Sequence, residues 1–210
     1  MNWSTASALA TGAGTLVLAI ATFASVRSAN RSAKVAQQAL LVGVRPLLMP
    51  SRLNDPEQKI FFQEGKFHRV EGGRGTAEVD NGNVYLTISL RNAGQGIAVL
   101  HGWRFDSGRG PRNTVRPDPD SFRHQQRDIL IAPGDIGFWQ AAFRDADDPQ
   151  YDQAVSAIKS DEVLFIDVLY GDQEGGQRAM TRMTLQRIDE THPWLASPIR
   201  HWNVDRADPR

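Results

Sequence analysis

The chain has 210 residues, no cysteine, and 24 basic against 24 acidic side chains, so its formal net charge is zero. The lack of cysteine excludes disulfides, thiolate catalysis and Cys-ligated zinc, and it selects no redox compartment. The zero hides an asymmetry: the first 52 residues carry five basic and no acidic side chains, leaving 19 basic and 24 acidic beyond. An acidic remainder argues against general nucleic-acid binding.

No charged side chain occurs from Met1 through Val26, and at Arg27 the positive charges begin. Such a run can cross the hydrocarbon core, which takes about 20 helical residues. A cleavable signal peptide needs a basic stretch before its apolar core, and only Met1 and Asn2 precede Trp3. Cleavage at Ala19-Ile20-Ala21 is the alternative. A core helix of this length would carry a charged face. The expectation is therefore a transmembrane helix over about residues 3–26, its Ser and Thr bonding back to their own backbone. It continues as a basic juxtamembrane helix to Gly43, where Gly and then Pro46 stop it.

Arg27, Arg31, Lys34, Arg45 and Arg52 follow the span before the first acidic residue, Asp55. Lys and Arg beside a span stay cytoplasmic, which predicts a single-pass cell-membrane protein with its N-terminus outside and its soluble domain inside. Arg27, Arg31, Lys34 and Arg45 are candidate contacts for anionic lipid. Ala6, Ala10 and Gly14 recur every four residues, a candidate face for homo-oligomer contact in the membrane. The opposite topology would make the domain an extracytoplasmic, surface-anchored binding module.

Beyond Arg45 the texture becomes that of strands and turns, giving a domain over 44–190 and a C-terminal tail over 191–210. Residues 46–49 and 59–62 are short strand candidates. The glycines between 63 and 83 read as hairpin turns or a mobile loop. Val84, Leu86, Ile88 and Leu90 alternate with polar residues, the mark of a half-buried strand. Ile97, Val99, His101, Trp103 and Phe105 repeat the pattern after Asn92-Ala93-Gly94-Gln95-Gly96. Residues 106–127 read as a long polar loop. Ile129-Leu130-Ile131 enters the turn Pro133-Gly134-Asp135, and Ile136 to Phe143 leaves it. Asp147-Asp148-Pro149 opens a short helix with Tyr151, Val155 and Ile158 on one side. Val163 to Tyr170 is the most apolar strand, hence central, and Arg178 to Ile188 is the last. This spacing predicts an all-β domain, a β-sandwich with one short inserted helix.

Three elements together carry a resemblance. Leu90 to Ala98 is similar to the strand, Asn-x-Gly turn and small-residue strand start of bacterial immunoglobulin-like sandwich domains. Ala132-Pro133-Gly134-Asp135 resembles their Pro-Gly-acidic turn, and Phe165-Ile166-Asp167-Val168 their late central strand. The likeness covers residues 84–188, and the layout resembles uncharacterised single-span bacterial membrane proteins with such a domain. It implies an immunoglobulin-like fold on an anchor and no catalytic residues. The helix near 150–158 departs from it.

No motif points to chemistry. The five histidines show no His-x-x-x-His or His-Glu pairing, and His101 reads as a core histidine. Asp145, Asp147 and Asp148 lack calcium-loop spacing and suit a helix N-terminus. Asp167, inside an apolar strand, calls for an Arg partner or a wet sheet face. No nucleophile elbow, phosphate loop or dinucleotide glycine pattern follows a strand. The expectation is no catalytic residue, no metal and no cofactor. Arg109, Arg112, Arg116 and Arg123, with Arg104 and Arg127 beside them, form a candidate partner-binding loop. The leading functional reading is a membrane-anchored, non-catalytic interaction module that binds a protein partner and no nucleic acid. The second is an enzyme with an unrecognised site, for which Asp167 and His101 are the first residues to test.

Overall fold

The computed structural model describes residues 3–108, 115–188 and 194–208. Two compact units divide the chain, residues 1–43 and 44–210. The first is a single helix, α1 (Trp3–Gly43). Its stretch Thr11–Leu40 has mean hydropathy 1.3 and is wholly exposed, so this helix is long and apolar enough to cross a membrane. The hydroxyls of Thr11, Thr15 and Thr22 donate to carbonyls four residues back at 2.9, 2.8 and 2.7 Å. Those hydroxyls therefore need no partner from outside the helix.

The second unit is mostly β. Its strands are β1 (Leu48–Pro50), β2 (Gln58–Phe61), β3 (Phe67–Val70), β4 (Arg74–Asp80), β5 (Asn83–Asn92) and β6 (Ala98–Ser107), then β7 (Arg123–His124), β8 (Leu130–Ile131) and β9 (Ile136–Phe143). One helix, α2 (Tyr151–Lys159), precedes β10 (Leu164–Gly171), β11 (Arg178–Gln186) and β12 (Trp194–Asn203). Ten strands form one antiparallel sheet in the order β1-β5-β4-β12-β11-β10-β6-β7, with β9 on β5 and β8 on β6. Strands β2 and β3 form a separate hairpin.

The sheet folds over on itself. Trp103 and Phe105 of β6 meet Trp139 and Phe143 of β9 edge-to-face, with ring centroids 5.3–5.7 Å apart. Leu86 and Ile88 of β5 join Ile166 and Val168 of β10 in the same core. The β10 strand is buried on both faces and flanked by β6 and β11, as its apolar run predicts. Its one carboxylate has the expected partner: Arg182 Nε and Nη2 donate to Asp167 Oδ1 and Oδ2 at 2.6 and 2.8 Å, both side chains under 5% exposed. The Arg182 guanidinium also lies 5.2 Å from the Trp202 ring.

Three expectations are corrected. The glycine-rich stretch is not all turn, because Gly75 lies inside β4. A Cβ there would sit 2.4 Å from the Thr87 carbonyl and 2.5 Å from Leu185, so close packing requires the glycine. The C-terminal tail supplies β12, which enters the sheet between β11 and β4. Pro198 and a register shift opposite Arg182/Met183 break its alternation and hide it. In β6 the pairing jumps from Gly102 opposite Leu169 to Leu100 opposite Tyr170, a bulge at His101. Past that bulge Leu100 and Ala98 share the core face with Trp103, while His101 and Val99 are only half-buried.

Asn92, at the end of β5, is fully buried and ties four segments together. Its Oδ1 accepts from Leu47 N at 3.1 Å and Gly94 N at 3.0 Å. Its Nδ2 donates to Gly96 O at 2.7 Å and Ile131 O at 3.0 Å. The β5–β6 turn lies so close to the start of the domain that a Cβ on Gly96 would reach 1.7 Å from the Val44 carbonyl. Asn92→Ala would strand two donors and two acceptors, at roughly 1–3 kcal/mol for each group that water cannot reach. We expect a loss of about 3 kcal/mol, a fall in Tm of roughly 6–12 °C for a domain of this size. Thermal unfolding followed by near-ultraviolet circular dichroism measures it, and a shift within 2 °C or so would contradict the assignment.

Candidate functional site

A cleft of about 540 Å³ lies where the edge strands β7 and β9 diverge, within the usual size of ligand sites. One wall is residues 123–127, the other is Gln140, Ala141 and Ala142 of β9 with Arg144 just beyond it, and the β2–β3 hairpin at Phe61, Phe62 and Gln63 closes it. The segment from β7 to β8 follows the edge of β6, pairing at Gly102, Trp103, Ala98 and Val99. Strand β9 follows β5 instead, and the two separate.

The backbone direction of β9 follows from the hairpin that precedes it. Asn81 and Gly82 have φ of 48° and 76°, the two-residue turn that joins β4 to β5 through a hydrogen-bonded Asp80–Asn83 pair. Counting from there, Tyr85 and Thr87 bond to β4, while Leu86 and Ile88 bond to Ala141 and Trp139 of β9. The N–H and C=O groups of Phe138, Gln140 and Ala142 therefore point away from β5, and Gln140 and Ala142 line the cleft. One of them is taken: Gln125 Nε2 donates to Gln140 O at 3.0 Å. Among the described residues, the side-chain oxygens of Gln125 and Gln140 are buried without a hydrogen-bond partner.

Three arginines line the cleft in different states. Arg123 is held by Asp148 through both Nη atoms, Nη2 at 2.7 Å, and its Nε donates to Gln150 at 3.2 Å. It also stands over the Trp103 and Phe143 rings at 5.4 and 5.0 Å. Arg144 pairs with Glu64 of the hairpin. These partners hold both carboxyls below their ordinary range, Asp148 through hydrogen bonds from Arg123 and Glu64 through one from Arg144. Arg127 differs, because it reaches only the Phe61 carbonyl, at 3.5 Å, and meets no carboxylate among the described residues.

The hairpin wall is seated by an array that spacing did not reveal. His68 Nδ1 and Thr76 Oγ1 are 2.6 Å apart, and Thr76 Oγ1 and Thr87 Oγ1 are 2.6 Å apart. Glu78 Oε2 lies 3.1 Å from His68 Nε2, outside hydrogen-bond alignment. The array resembles a hydroxyl–imidazole–carboxylate relay, but the rings of Phe62 and Tyr85 cover His68 at 5.3 and 6.0 Å. It is packing under the hairpin, assembled from three strands, and its only sequence signal is the alternation of Thr76 and Glu78.

Two of the four expected partner-loop arginines, Arg116 and Arg123, lie among the described residues. Arg123, on β7, lines the cleft and is held there by Asp148 and Gln150. Arg116 is exposed, and Arg109 and Arg112 lie outside the described residues. Arg45 Nη2 donates to Asn203 and Asp205 at 2.7 Å each, and Nη1 donates to Gln177 at 2.9 Å. Burial works to raise the Asp205 carboxyl, but Arg45 holds it low. Arg45 is thus engaged inside the domain, by Gln177, Asn203 and Asp205. Arg27, Arg31 and Lys34 stay exposed at spacings of four and three residues, one stripe of α1. Gly14 is exposed, and the side chains of Ala6 and Ala10 lie outside what is described.

Among the described residues no group of three His, Asp or Glu side chains is placed to hold a metal. Asp145 and Asp148 instead accept backbone N–H groups of Asp147 and Gln150, each at 2.9 Å, in the turn before α2. His192 lies outside the described residues, and exposed His124 lines the cleft. No known protein family, curated protein or solved structure matches the chain.

Two histidines give the fold a pH dependence. Burial pushes the imidazoles of His68 and His101 down from their ordinary value, Glu78 opposing it at His68 and Arg178 adding to it at His101. The unfolded chain takes up these protons near pH 6.5, whereas the folded chain does so only at lower pH. Their contribution is therefore full above about pH 7 and falls as pH drops below about 6.5. Tm should fall between about pH 7.5 and 5.5, and the double variant His68→Gln/His101→Gln should flatten that slope. An unaltered slope in the variant would contradict this origin.

Proposed function

We propose that this protein is a membrane-anchored, non-catalytic interaction module whose domain faces the cytoplasm and binds a protein partner in the cleft between β7 and β9. The observation that carries this reading is the lining itself. Among the described residues Arg127 meets no carboxylate, and it shares the cleft with two glutamine side-chain oxygens that lack a hydrogen-bond partner and with outward backbone groups of β9. Such groups hold and orient a polar chain. The cations Arg27, Arg31 and Lys34, directly after the uncharged run, support an N-terminus outside and a stripe that meets anionic headgroups. The facing of β5 and β9 against β6 and β10 supports an immunoglobulin-like arrangement of the kind shared by single-span bacterial proteins. Asp167 and His101 give the enzymatic alternative little support, since the Asp167 carboxylate is consumed by Arg182 and His101 stands on a bulge over Gly171.

A photoreactive amino acid at Gln126, which is exposed and lines the cleft, tests the reading in native membranes. A discrete adduct to one protein is expected, severalfold weaker when Arg127→Glu is added. In inside-out vesicles the domain should be open to protease, and in right-side-out vesicles it should be protected. The reverse protection would overturn the orientation. An adduct indifferent to Arg127→Glu, or none, would overturn the cleft.

A further inference from the structure

We infer that the partner enters this cleft as an extended, acidic peptide segment that adds a strand to the free edge of β9. The inference rests on the reading of the cleft as a partner site and specifies how the partner is held. Three observations lead to it. The register fixed by the Asn81-Gly82 turn aims the N–H and C=O groups of Phe138, Gln140 and Ala142 out of the sheet, at the two-residue spacing an added strand requires. The Gln125 side-chain amide already occupies the place of a neighbouring strand, donating to Gln140 O at 3.0 Å as a strand N–H would. The charge selects the side chain: Glu64 and Asp148 neutralise Arg144 and Arg123 from outside the lining, and Arg127 is left to meet a carboxylate.

Three of the usual protections of a sheet edge are missing at this one. Edge strands are blunted by proline, by an inward charge, by a bulge or by a covering segment. Strand β9 has none of the first three from Ile136 to Phe143, and its pairing with β5 is regular throughout. The hairpin lies over its outer face through Ile60 and Phe62, which leaves the edge open to the cleft. Binding along it needs main-chain hydrogen bonds from the peptide as well as an acidic side chain, and this combination separates strand addition from a general attraction to Arg127.

The test selects short random peptides displayed against the full chain in detergent micelles, then measures the enriched sequences as free peptides. Enriched peptides should carry Asp or Glu, and Arg127→Gln should weaken them at least about tenfold, near 1.4 kcal/mol. N-methylation of alternate peptide residues should cost a similar factor, while methylation of the intervening ones should cost little. Ala142→Pro removes an outward N–H and leaves the β5 ladder intact. It should preserve Tm within a few degrees and weaken binding at least about tenfold. Peptides that depend on Arg127 but ignore both N-methylation and Ala142→Pro would overturn strand addition and leave the cleft reading standing. Peptides indifferent to all three changes, or no enrichment at all, would overturn strand addition, and an absent crosslink at Gln126 would then overturn the cleft reading with it.

Discussion

One buried amide organises this domain. Asn92 ends β5, and its side chain satisfies two backbone donors and two backbone acceptors at 2.7–3.1 Å. A buried amide with all four bonds made fixes the segments it touches, whereas a partly satisfied one is a liability. Here it holds the chain into β1, the turn into β6 and the end of β8. Its backbone adds to this, since Asn92 N donates to Asp135 O at 3.0 Å and Gly134 N donates to Asn92 O at 2.9 Å. The Asn-x-Gly turn and the Pro-Gly-Asp turn, separate in sequence, are thus two halves of one joint. That joint pins β8 and β9 together at one end, and from there the strands splay to form the cleft.

The arginines divide by what surrounds them. Arg182 is bidentate to Asp167 in the middle of the sheet, with Arg104 and Arg200 next to the pair in register. A buried pair of this kind adds little net stability but becomes costly when one partner is removed, so it fixes the register of β10 on β11. Arg45 joins the start of the domain to the far end of β12 and the residues after it. Arg123 clamps the turn before α2 to the aromatic core. With these guanidiniums committed to structure, Arg127 is the arginine of the cleft lining that meets no carboxylate among the described residues.

Much of the fold was legible in the sequence where one physical rule dominated. The uncharged run ending at Val26 read as a long helix because nothing else tolerates such a stretch. Leu86, Ile88 and Leu90 read as a strand by alternation, and the partner of Asp167 was required by burial. The readings failed where two rules competed. Gly75 looked like a turn because its strand role depends on Thr87 and Leu185, far along the chain. His101 was placed on the core face because a bulge changes the face without changing the pattern. Residues 194–203 read as a tail because Pro198 and the register shift opposite it mask a strand that only its neighbours define. The cleft itself was invisible for the same reason, being a gap between two strands that are not neighbours in sequence order along the sheet.

The free edge of β9 is the feature on which the functional account turns, and residue-resolved amide hydrogen exchange on the full chain in micelles reads it directly. The account requires slow exchange at Trp139, Ala141 and Phe143, whose N–H groups bond to β5. It requires fast exchange at Phe138, Gln140 and Ala142, whose N–H groups point away from β5. Uniform protection from residue 138 through 143 would show that the edge is already covered, and would contradict the account.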